Sequence, residues 1–304
     1  MKLSRFKTFT TSYYFPINLT KDLHYMYGLY SAYGGRLSKI YWALYKKYKL
    51  VRWLTSVDEK ELDFPYTLIK NLAGDDSILS FNMGSPGIEQ KISILGYDPN
   101  KQQPFFAKFA QKEDAKVLSR NEIHILQKLA DTRLAPALMD HRITDDYVFL
   151  KTECVKGKRP ASMLLTKEVT DICINLSKLH LTGQMTNEDG LQLSLSHGDF
   201  CPWNFLENDG KLRLIDWEMA KDRPLGYDLF TYIFQTAFLF TNKETIVLIE
   251  ENKAFIRDYF HHLSIHDFNS YLKAFSKEKS LIENKKNNPK LSDKYQQMLA
   301  YLSN

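Results

Sequence analysis

The stretch that decides the fold reads Ser196-His-Gly-Asp-Phe-Cys-Pro-Trp-Asn204 and is followed by Leu214-Ile-Asp-Trp-Glu218. It sets Asp199 five residues before Asn204, and Asn204 twelve residues before Asp216. Magnesium prefers oxygen ligands such as carboxylates and carboxamides, and a further carboxylate can accept the proton of an attacking hydroxyl. The spacing therefore predicts phosphoryl transfer, with Asn204 and Asp216 as metal ligands and Asp199 as the base.

A β-hairpin is predicted to bring these side chains together. Asp209-Gly210 is a strong turn signal between two short apolar runs. The turn returns the chain towards Asn204. By the two-residue period of a strand, Leu212, Leu214 and Asp216 are expected on one face.

At these residues the chain resembles the aminoglycoside phosphotransferase and choline kinase family, small-molecule kinases with a protein-kinase-like fold. The family pattern is His-Gly-Asp, four residues, Asn, and later an Asp in an apolar strand. His197-Gly-Asp199, Asn204 and Ile215-Asp216 match it. The resemblance extends more loosely over residues 76–235, and it implies ATP and Mg²⁺ as cofactors.

The resemblance also implies a role for each matched residue. Asp199 would be the catalytic base, Asn204 and Asp216 the metal ligands, and His197 the residue that orients the catalytic loop. The aspartate of Gly226-Tyr-Asp-Leu229 would support that loop.

An upstream lysine for the phosphates is expected at Lys108, in the middle of the strand-like run Pro104-Phe-Phe-Ala-Lys-Phe-Ala110. A lysine buried there needs a negative partner. The helix predicted over Lys116–Leu129 carries Glu122 on its apolar stripe. We therefore predict a Lys108–Glu122 ion pair, the pair that in kinases positions the lysine that contacts phosphate.

Two backbone segments are further candidates for holding ATP. Gly84-Ser-Pro-Gly87 lies one strand before the lysine, so its amides and the Ser85 hydroxyl could lie over phosphates. Turns of this kind more often join ordinary hairpins, but the position favours the functional interpretation. The resemblance implies that the strand beginning at Tyr147 leads into a hinge, where the backbone from Glu153 to Val155 would pair with adenine.

The composition is that of an ordinary globular protein, with 304 residues, 44% of them hydrophobic and 25% charged. The sequence has neither an apolar run long enough to span a bilayer nor a secretory signal. The three cysteines lack metal-ligand spacing and indicate reduced thiols. We expect a cytoplasmic protein, with peripheral membrane contact as an alternative.

The first 57 residues are strongly basic, with ten Lys or Arg and one acidic residue, Asp22. Arg36–Trp53 is predicted to be a helix, whose apolar stripe comprises Leu37, Ile40, Leu44, Tyr48 and Val51. The first interpretation is a helix docked on the kinase body with a solvated basic face. The second is an interfacial helix at an anionic membrane or a lipid-linked glycan. Nucleic acid is unlikely as a partner because no reader motif accompanies the charge.

Together these features predict an α+β, two-lobed, protein-kinase-like fold. Residues 1–75 would form a basic, aromatic and largely helical extension, and residues 76–152 a small antiparallel-sheet lobe that binds nucleotide. Residues 153–304 would form a mainly helical lobe with the catalytic and acceptor-binding parts. The segment after Asp216 is too short for the activation segment of a protein kinase.

The predicted reaction moves the γ-phosphate of ATP to a hydroxyl of a small molecule, either an amino alcohol, an aminoglycoside or a sugar. One alternative is a kinase of a lipopolysaccharide or other surface-glycan sugar at the membrane surface, and another is a non-catalytic nucleotide-binding scaffold. A cationic acceptor would need acidic or aromatic walls. The candidates are Trp217, Glu218, Asp222, Tyr227 and Asp228.

Overall fold

The computed structural model describes residues 2–30, 36–160, 163–208, 210–241 and 243–303. The chain forms two compact units, Met1–Val155 and Lys156–Asn304. An antiparallel sheet dominates the first unit and helices dominate the second. The predicted α+β class, with a sheet-containing part followed by a mainly helical part, is confirmed.

Eight strands of the described residues form the sheet of the first unit in the order β3-β1-β2-β4-β5-β6-β8-β7, with antiparallel neighbours. The strands are β1 (Leu3–Lys7), β2 (Ser12–Pro16), β3 (Ser56–Val57), β4 (Ile78–Asn82), β5 (Lys91–Asp98), β6 (Gln103–Ala110), β7 (Leu138–Ile143) and β8 (Val148–Glu153). Phe105, Ala107 and Phe109 alternate along β6 and are buried in one core cluster, as the period of a strand requires.

The helices of the first unit are α1 (Arg36–Lys47), α2 (Lys49–Leu54), α3 (Tyr66–Ala73) and α4 (Glu113–Lys128), with 3₁₀ segments at Lys21–Leu29 and Glu59–Glu61. Helix α3 buries Tyr66, Ile69 and Ala73 in the same core cluster as β6. Among the described residues no helix combines the length and apolar character needed to cross a membrane.

Residues 1–75, expected to be a largely helical extension, also form β1, β2 and β3. Because β2 pairs with β4, these strands continue the sheet and lie in the same compact unit as residues 76–152. Strand β2 was not predicted, because Tyr13-Tyr14-Phe15 is uniformly aromatic and shows no alternation of polar and apolar residues.

The helix predicted over Arg36–Trp53 is broken at Tyr48, whose backbone is extended. The predicted apolar stripe does not face the protein core, because four of its five members are exposed and Val51 is only partly buried. Trp42 and Tyr45 are buried instead, and both rings pack against Phe6. Large aromatic side chains bury more area than the leucines of the stripe, so the aromatic face docks.

The second unit combines two strand pairs with helices. The strands are β9 (Leu193–Ser196), β10 (Phe205–Asn208), β11 (Lys211–Leu214) and β12 (Lys221–Pro224), pairing as β10-β11 and β12-β9. The helices are α5 (Lys167–Leu176), α6 (Tyr227–Phe230), α7 (Thr236–Phe240), α8 (Thr245–His262), α9 (Asn269–Lys285) and α10 (Pro289–Tyr301). A π-helical turn, Thr231–Gln235, joins α6 to α7, and 3₁₀ turns lie at Pro202–Asn204 and Trp217–Met219.

Candidate functional site

The loop between β9 and β10 is held by a single buried carboxylate, that of Asp228. Its oxygens accept hydrogen bonds from the Ser196 hydroxyl at 2.7 Å and from the backbone N–H groups of His197 at 2.8 Å and Gly198 at 3.1 Å. Gly198 has a φ of +85°, and a Cβ there would lie 2.4 Å from the carbonyl oxygen of Met219. Glycine and the Asp228 carboxylate together therefore fix the loop backbone.

His197 connects this loop to the segment that carries Asp216. Its Nε2 lies 3.0 Å from the carbonyl oxygen of Ile215, so this nitrogen donates the hydrogen bond. The ring is fully buried, with its edge towards Trp217 at 4.8 Å between centroids. Burial lowers the pKa of His197, which favours the neutral imidazole. This geometry agrees with an orienting role for His197.

Asp199 and Asn204 are joined by two hydrogen bonds. Nδ2 of Asn204 donates to the backbone oxygen of Asp199 at 2.8 Å and to its Oδ2 at 2.9 Å. These bonds use both amide protons, so the carboxamide oxygen of Asn204 lies on the side away from the Asp199 carboxylate. The predicted proximity of these two side chains is present.

The hairpin brings Asp216 back towards Asn204, with Phe205 opposite Leu214 and the amide of Ile215 donating to the Asn204 carbonyl at 2.9 Å. Asp209 of the predicted turn lies outside the described residues. The prediction that Asp216 shares a strand face with Leu212 and Leu214 is wrong. Strand β11 ends at Leu214, and Asp216 adopts the left-handed conformation with φ +70°. A non-glycine residue held in this region is strained, and such strain is common at functional sites.

A second carboxamide, that of Gln235, also contacts Asp199. Its Nε2 donates to Asp199 Oδ1 at 3.2 Å, and its Oε1 accepts from Lys279 Nζ at 2.6 Å. The Lys279 ammonium lies 5.3 Å from the centre of the Tyr227 ring. Burial lowers the pKa of Lys279. Asp199, Gln235 and Lys279 thus form a chain of hydrogen bonds that leads into the core.

Gln235 and Lys279 could not be predicted from local spacing, because they lie 36 and 80 residues after Asp199. Lys279 did carry a signal, since it follows Leu272 by seven residues and Phe275 by four on the buried stripe of α9. A lysine at such a position requires a polar partner. The π-helical turn that ends at Gln235 has no comparable signal in the sequence.

In the first unit, the predicted ion pair between Lys108 and Glu122 is present. Nζ of Lys108 on β6 lies 2.6 Å from Oε2 of Glu122 on α4, and both side chains are buried. Because a buried charge needs an oppositely charged partner, the burial of Lys108 and that of Glu122 depend on each other. The pair holds the end of the lysine side chain against α4.

The turn Gly84–Gly87 joins β4 to β5, with the Ser85 side chain exposed. Gly84 has a φ of +69°, and a Cβ there would lie 2.5 Å from the carbonyl oxygen of Lys91, so this position requires glycine. Lys112 Nζ donates to the Gly87 carbonyl at 2.7 Å. The backbone of the turn is therefore anchored at both ends.

The amide of Glu153 is occupied, because its N–H donates to the Ala137 carbonyl at 2.9 Å. In return the Ala137 amide donates to the Glu153 carboxylate at 3.1 Å. The pairing of β8 with β6 extends to Glu153 itself, which the sequence analysis placed at the strand exit. The contact of the backbone from Glu153 to Val155 with adenine stays a prediction.

Four of the five residues considered as walls for a cationic acceptor have structural roles. Asp228 holds the loop between β9 and β10, and the Asp222 carboxylate accepts from the backbone of Leu181 and Thr182. Trp217 and Tyr227 are almost fully buried. These four residues are therefore not available as walls, because their groups are already occupied or enclosed.

A known protein family matches the segment that contains Asp199, Asn204 and Asp216. The model of the phosphotransferase enzyme family APH matches residues 175–267, which include the loop, the hairpin, Asp228 and Gln235. This match confirms the predicted resemblance to phosphotransferases of the APH family. It also confirms the prediction of a phosphotransferase enzyme. No curated protein matches the sequence.

Two solved structures illustrate the structural similarity. An amicoumacin kinase in complex with AMP-PNP and Ca²⁺ is 10% identical, covering 81% of this chain and 88% of its own, with a TM-score of 0.49. The aminoglycoside phosphotransferase APH(3'')-Id from Streptomyces rimosus, in complex with ADP and streptomycin, is 15% identical, covering 77% of this chain and 97% of its own, with a TM-score of 0.44.

Proposed function

We propose that the protein transfers the γ-phosphate of ATP to a hydroxyl of a small molecule, with Asp199 as the base. The observation that carries this proposal is the position of the Asp199 carboxylate. One oxygen accepts from Asn204 and the other from Gln235, in a loop that Asp228 fixes. A carboxylate held in a fixed orientation can accept the proton of a hydroxyl that binds beside it. General-base catalysis requires this positioning.

The residues around Asp199 fit a magnesium ion. The Asn204 carboxamide uses both of its protons on Asp199, which leaves its oxygen as a ligand atom, and the Asp216 carboxylate supplies further oxygens. An oxygen-only donor set without a lysine suits Mg²⁺. Bound Mg²⁺ would neutralise charge on the transferring phosphoryl group. Asn204 and Asp216 are therefore the proposed ligands.

In the proposed reaction, an acceptor oxygen forms a bond to the γ-phosphorus while the bond from that phosphorus to the β,γ-bridging oxygen breaks. The hydroxyl proton passes to Asp199 and ADP leaves. Lys108, held by Glu122, would contact the phosphate oxygens, and the Gly84–Gly87 turn with Ser85 would lie over them. The backbone from Glu153 to Val155 would contact adenine.

For the acceptor we propose an amino alcohol, an aminoglycoside or a sugar. Support comes from the aromatic pair Trp203 and Phe240, whose ring centroids lie 6.0 Å apart. Trp203 directly precedes the proposed ligand Asn204, and Phe240 is exposed. Aromatic faces bind both the apolar face of a sugar ring and an ammonium group.

A second candidate is a kinase of a lipopolysaccharide or other surface-glycan sugar that works at a membrane. The observation in its favour is the exposed apolar side of α1, which includes Ile40 and Leu44. The two candidates share the same chemistry at Asp199 and differ only in the size and location of the acceptor.

The test is ATP consumption by the full-length protein with Mg²⁺, against amino alcohols, aminoglycosides, free sugars and glycan fragments, with EDTA as the control. Turnover that needs both acceptor and metal would support the proposal, and the active acceptor class would choose between the two candidates. A metal-dependent thermal shift with ATP but no turnover with any class would instead indicate a scaffold.

A further inference from the structure

Helices α1 and α2 present a group of exposed apolar and aromatic side chains, called here the α1–α2 face. It comprises Leu37, Ile40, Tyr41, Leu44, Tyr48, Leu50, Trp53 and Leu54. Scattered single apolar residues are normal on a protein surface, but eight exposed apolar and aromatic side chains within residues 37–54 indicate an interaction site.

The exposure of this face follows from how α1 is seated. Leu37, Ile40 and Leu44, at i, i+3 and i+7, occupy one side of the helix. Trp42 and Tyr45 occupy another side and are buried in the aromatic cluster with Phe6. Because the aromatic side docks α1 on the protein, the leucine side is held outwards.

Arg52 makes the face rigid across the break between the helices. Its buried guanidinium donates to the carbonyl oxygens of Tyr45 at 2.7 Å and Lys46 at 2.8 Å, at the end of α1, and to that of Ile17 at 3.0 Å. A cation at a helix C-terminus also interacts favourably with the helix dipole. The two helices are thus fixed to each other and to the body of the first unit.

The charged residues of α1, α2 and the three residues that follow are all basic. Arg36, Lys39, Lys46, Lys47 and Lys49 are exposed, and residues 36–57 contain no Asp or Glu. Lys46 Nζ lies 5.4 Å from the Trp42 ring centre, and Lys47 Nζ lies 5.2 Å from that of Tyr48. Aromatic and leucine side chains flanked by lysines are the composition of helices that lie in a membrane interface.

We propose that the α1–α2 face docks in the plane of an anionic phospholipid bilayer. Its leucines and Trp53 enter the boundary between headgroups and acyl chains, while the lysines contact lipid phosphates. The charge disfavours a second copy of the chain as the occupant, because a self-complementary contact would bring the lysines of both copies together. The proposal does not depend on the phosphotransfer reaction.

The test is co-sedimentation of the full-length protein with vesicles of phosphatidylcholine alone or with 30% phosphatidylserine, an anionic content chosen on the order of that of a cytoplasmic leaflet. The apolar variant is Leu37→Ser/Leu44→Ser, at positions with exposures of 83% and 43%. The matched control is Val117→Ser/Ile143→Ser, with exposures of 58% and 47%. We expect the apolar variant to lose about tenfold or more in affinity for anionic vesicles, and the control to bind as the wild type does.

A second pair of variants tests the charge. Lys39→Glu/Lys49→Glu should also lose binding to anionic vesicles, whereas Lys101→Glu/Lys128→Glu, at exposed sites outside the face, should not. Two results would overturn the proposal. One is wild-type binding that is equal on neutral and anionic vesicles. The other is the absence of vesicle binding by the wild type, whether or not light scattering detects a dimer.

Discussion

Nε2 of Gln235 donates a hydrogen bond to Oδ1 of Asp199 at 3.2 Å, while Nδ2 of Asn204 donates to Oδ2 at 2.9 Å. Each oxygen of the Asp199 carboxylate therefore has a carboxamide partner. Gln235 is itself held by Lys279 at 2.6 Å. The orientation of the proposed base thus depends on residues from three separate segments of the second unit.

Gln235→Leu removes one of the two carboxamides and leaves Lys279 without its acceptor. We expect kcat to fall about tenfold or more, with the KM for ATP almost unchanged, because orientation of the base matters in the transition state. The measurement is steady-state kinetics, with Gln127→Leu, at an exposed position of α4, as the control. An unchanged kcat in folded Gln235→Leu would contradict this positioning role.

Glu122→Leu removes the carboxylate that lies 2.6 Å from the buried Lys108 ammonium. Loss of one partner of a buried pair costs about 3–5 kcal/mol of unfolding free energy, whereas replacement of both partners by apolar residues is close to neutral. The double variant Lys108→Met/Glu122→Leu should therefore recover most of the stability in denaturant titrations but still bind ATP poorly. Stability equal to that of the single variant would argue against the pair, and wild-type ATP affinity would argue against the role of Lys108.

The features that the sequence could predict depend on short-range spacing. The hairpin returns Asp216 towards Asn204 over twelve residues, and a buried lysine demands a partner such as Glu122 on the next helix. Features that depend on tertiary packing were missed. Gln235 reaches Asp199 through a π-helical turn, and Leu37 is exposed because Trp42 buries more area on the other side of the same helix.

Asp228→Asn replaces an acceptor-only carboxylate with a group that has a single acceptor oxygen. At least one of the donors Ser196, His197 and Gly198 then loses its partner. We expect a loss of about 3 kcal/mol in unfolding free energy, together with a fall in kcat, since the loop backbone relaxes. Asp258→Asn is the control, and thermal unfolding in parallel with kinetics is the measurement. Equal stability of the two variants would refute the assignment of Asp228 as the loop support.

His197 makes the stability of the protein depend on pH. Burial lowers its pKa from the ordinary value of 6.5, so the unfolded chain binds a proton that the folded chain does not. The contribution of His197 to the free energy of unfolding is complete above about pH 6.5. It is lost as the pH falls towards the pKa of His197 in the folded protein. Unfolding free energies measured between pH 8 and pH 5 should fall less steeply on acidification in His197→Gln than in the wild type or in His124→Gln, an exposed control. Identical slopes in all three proteins would contradict this account.

The central claim is that Asp199 is the base of a phosphotransfer reaction, and the most direct test is acceptor-dependent ATP turnover by the wild type and Asp199→Asn, with ATP affinity measured on the same samples. We expect Asp199→Asn to lose about 10²–10⁴-fold in turnover while it keeps most of its affinity for nucleotide. Wild-type turnover in folded Asp199→Asn would contradict the claim.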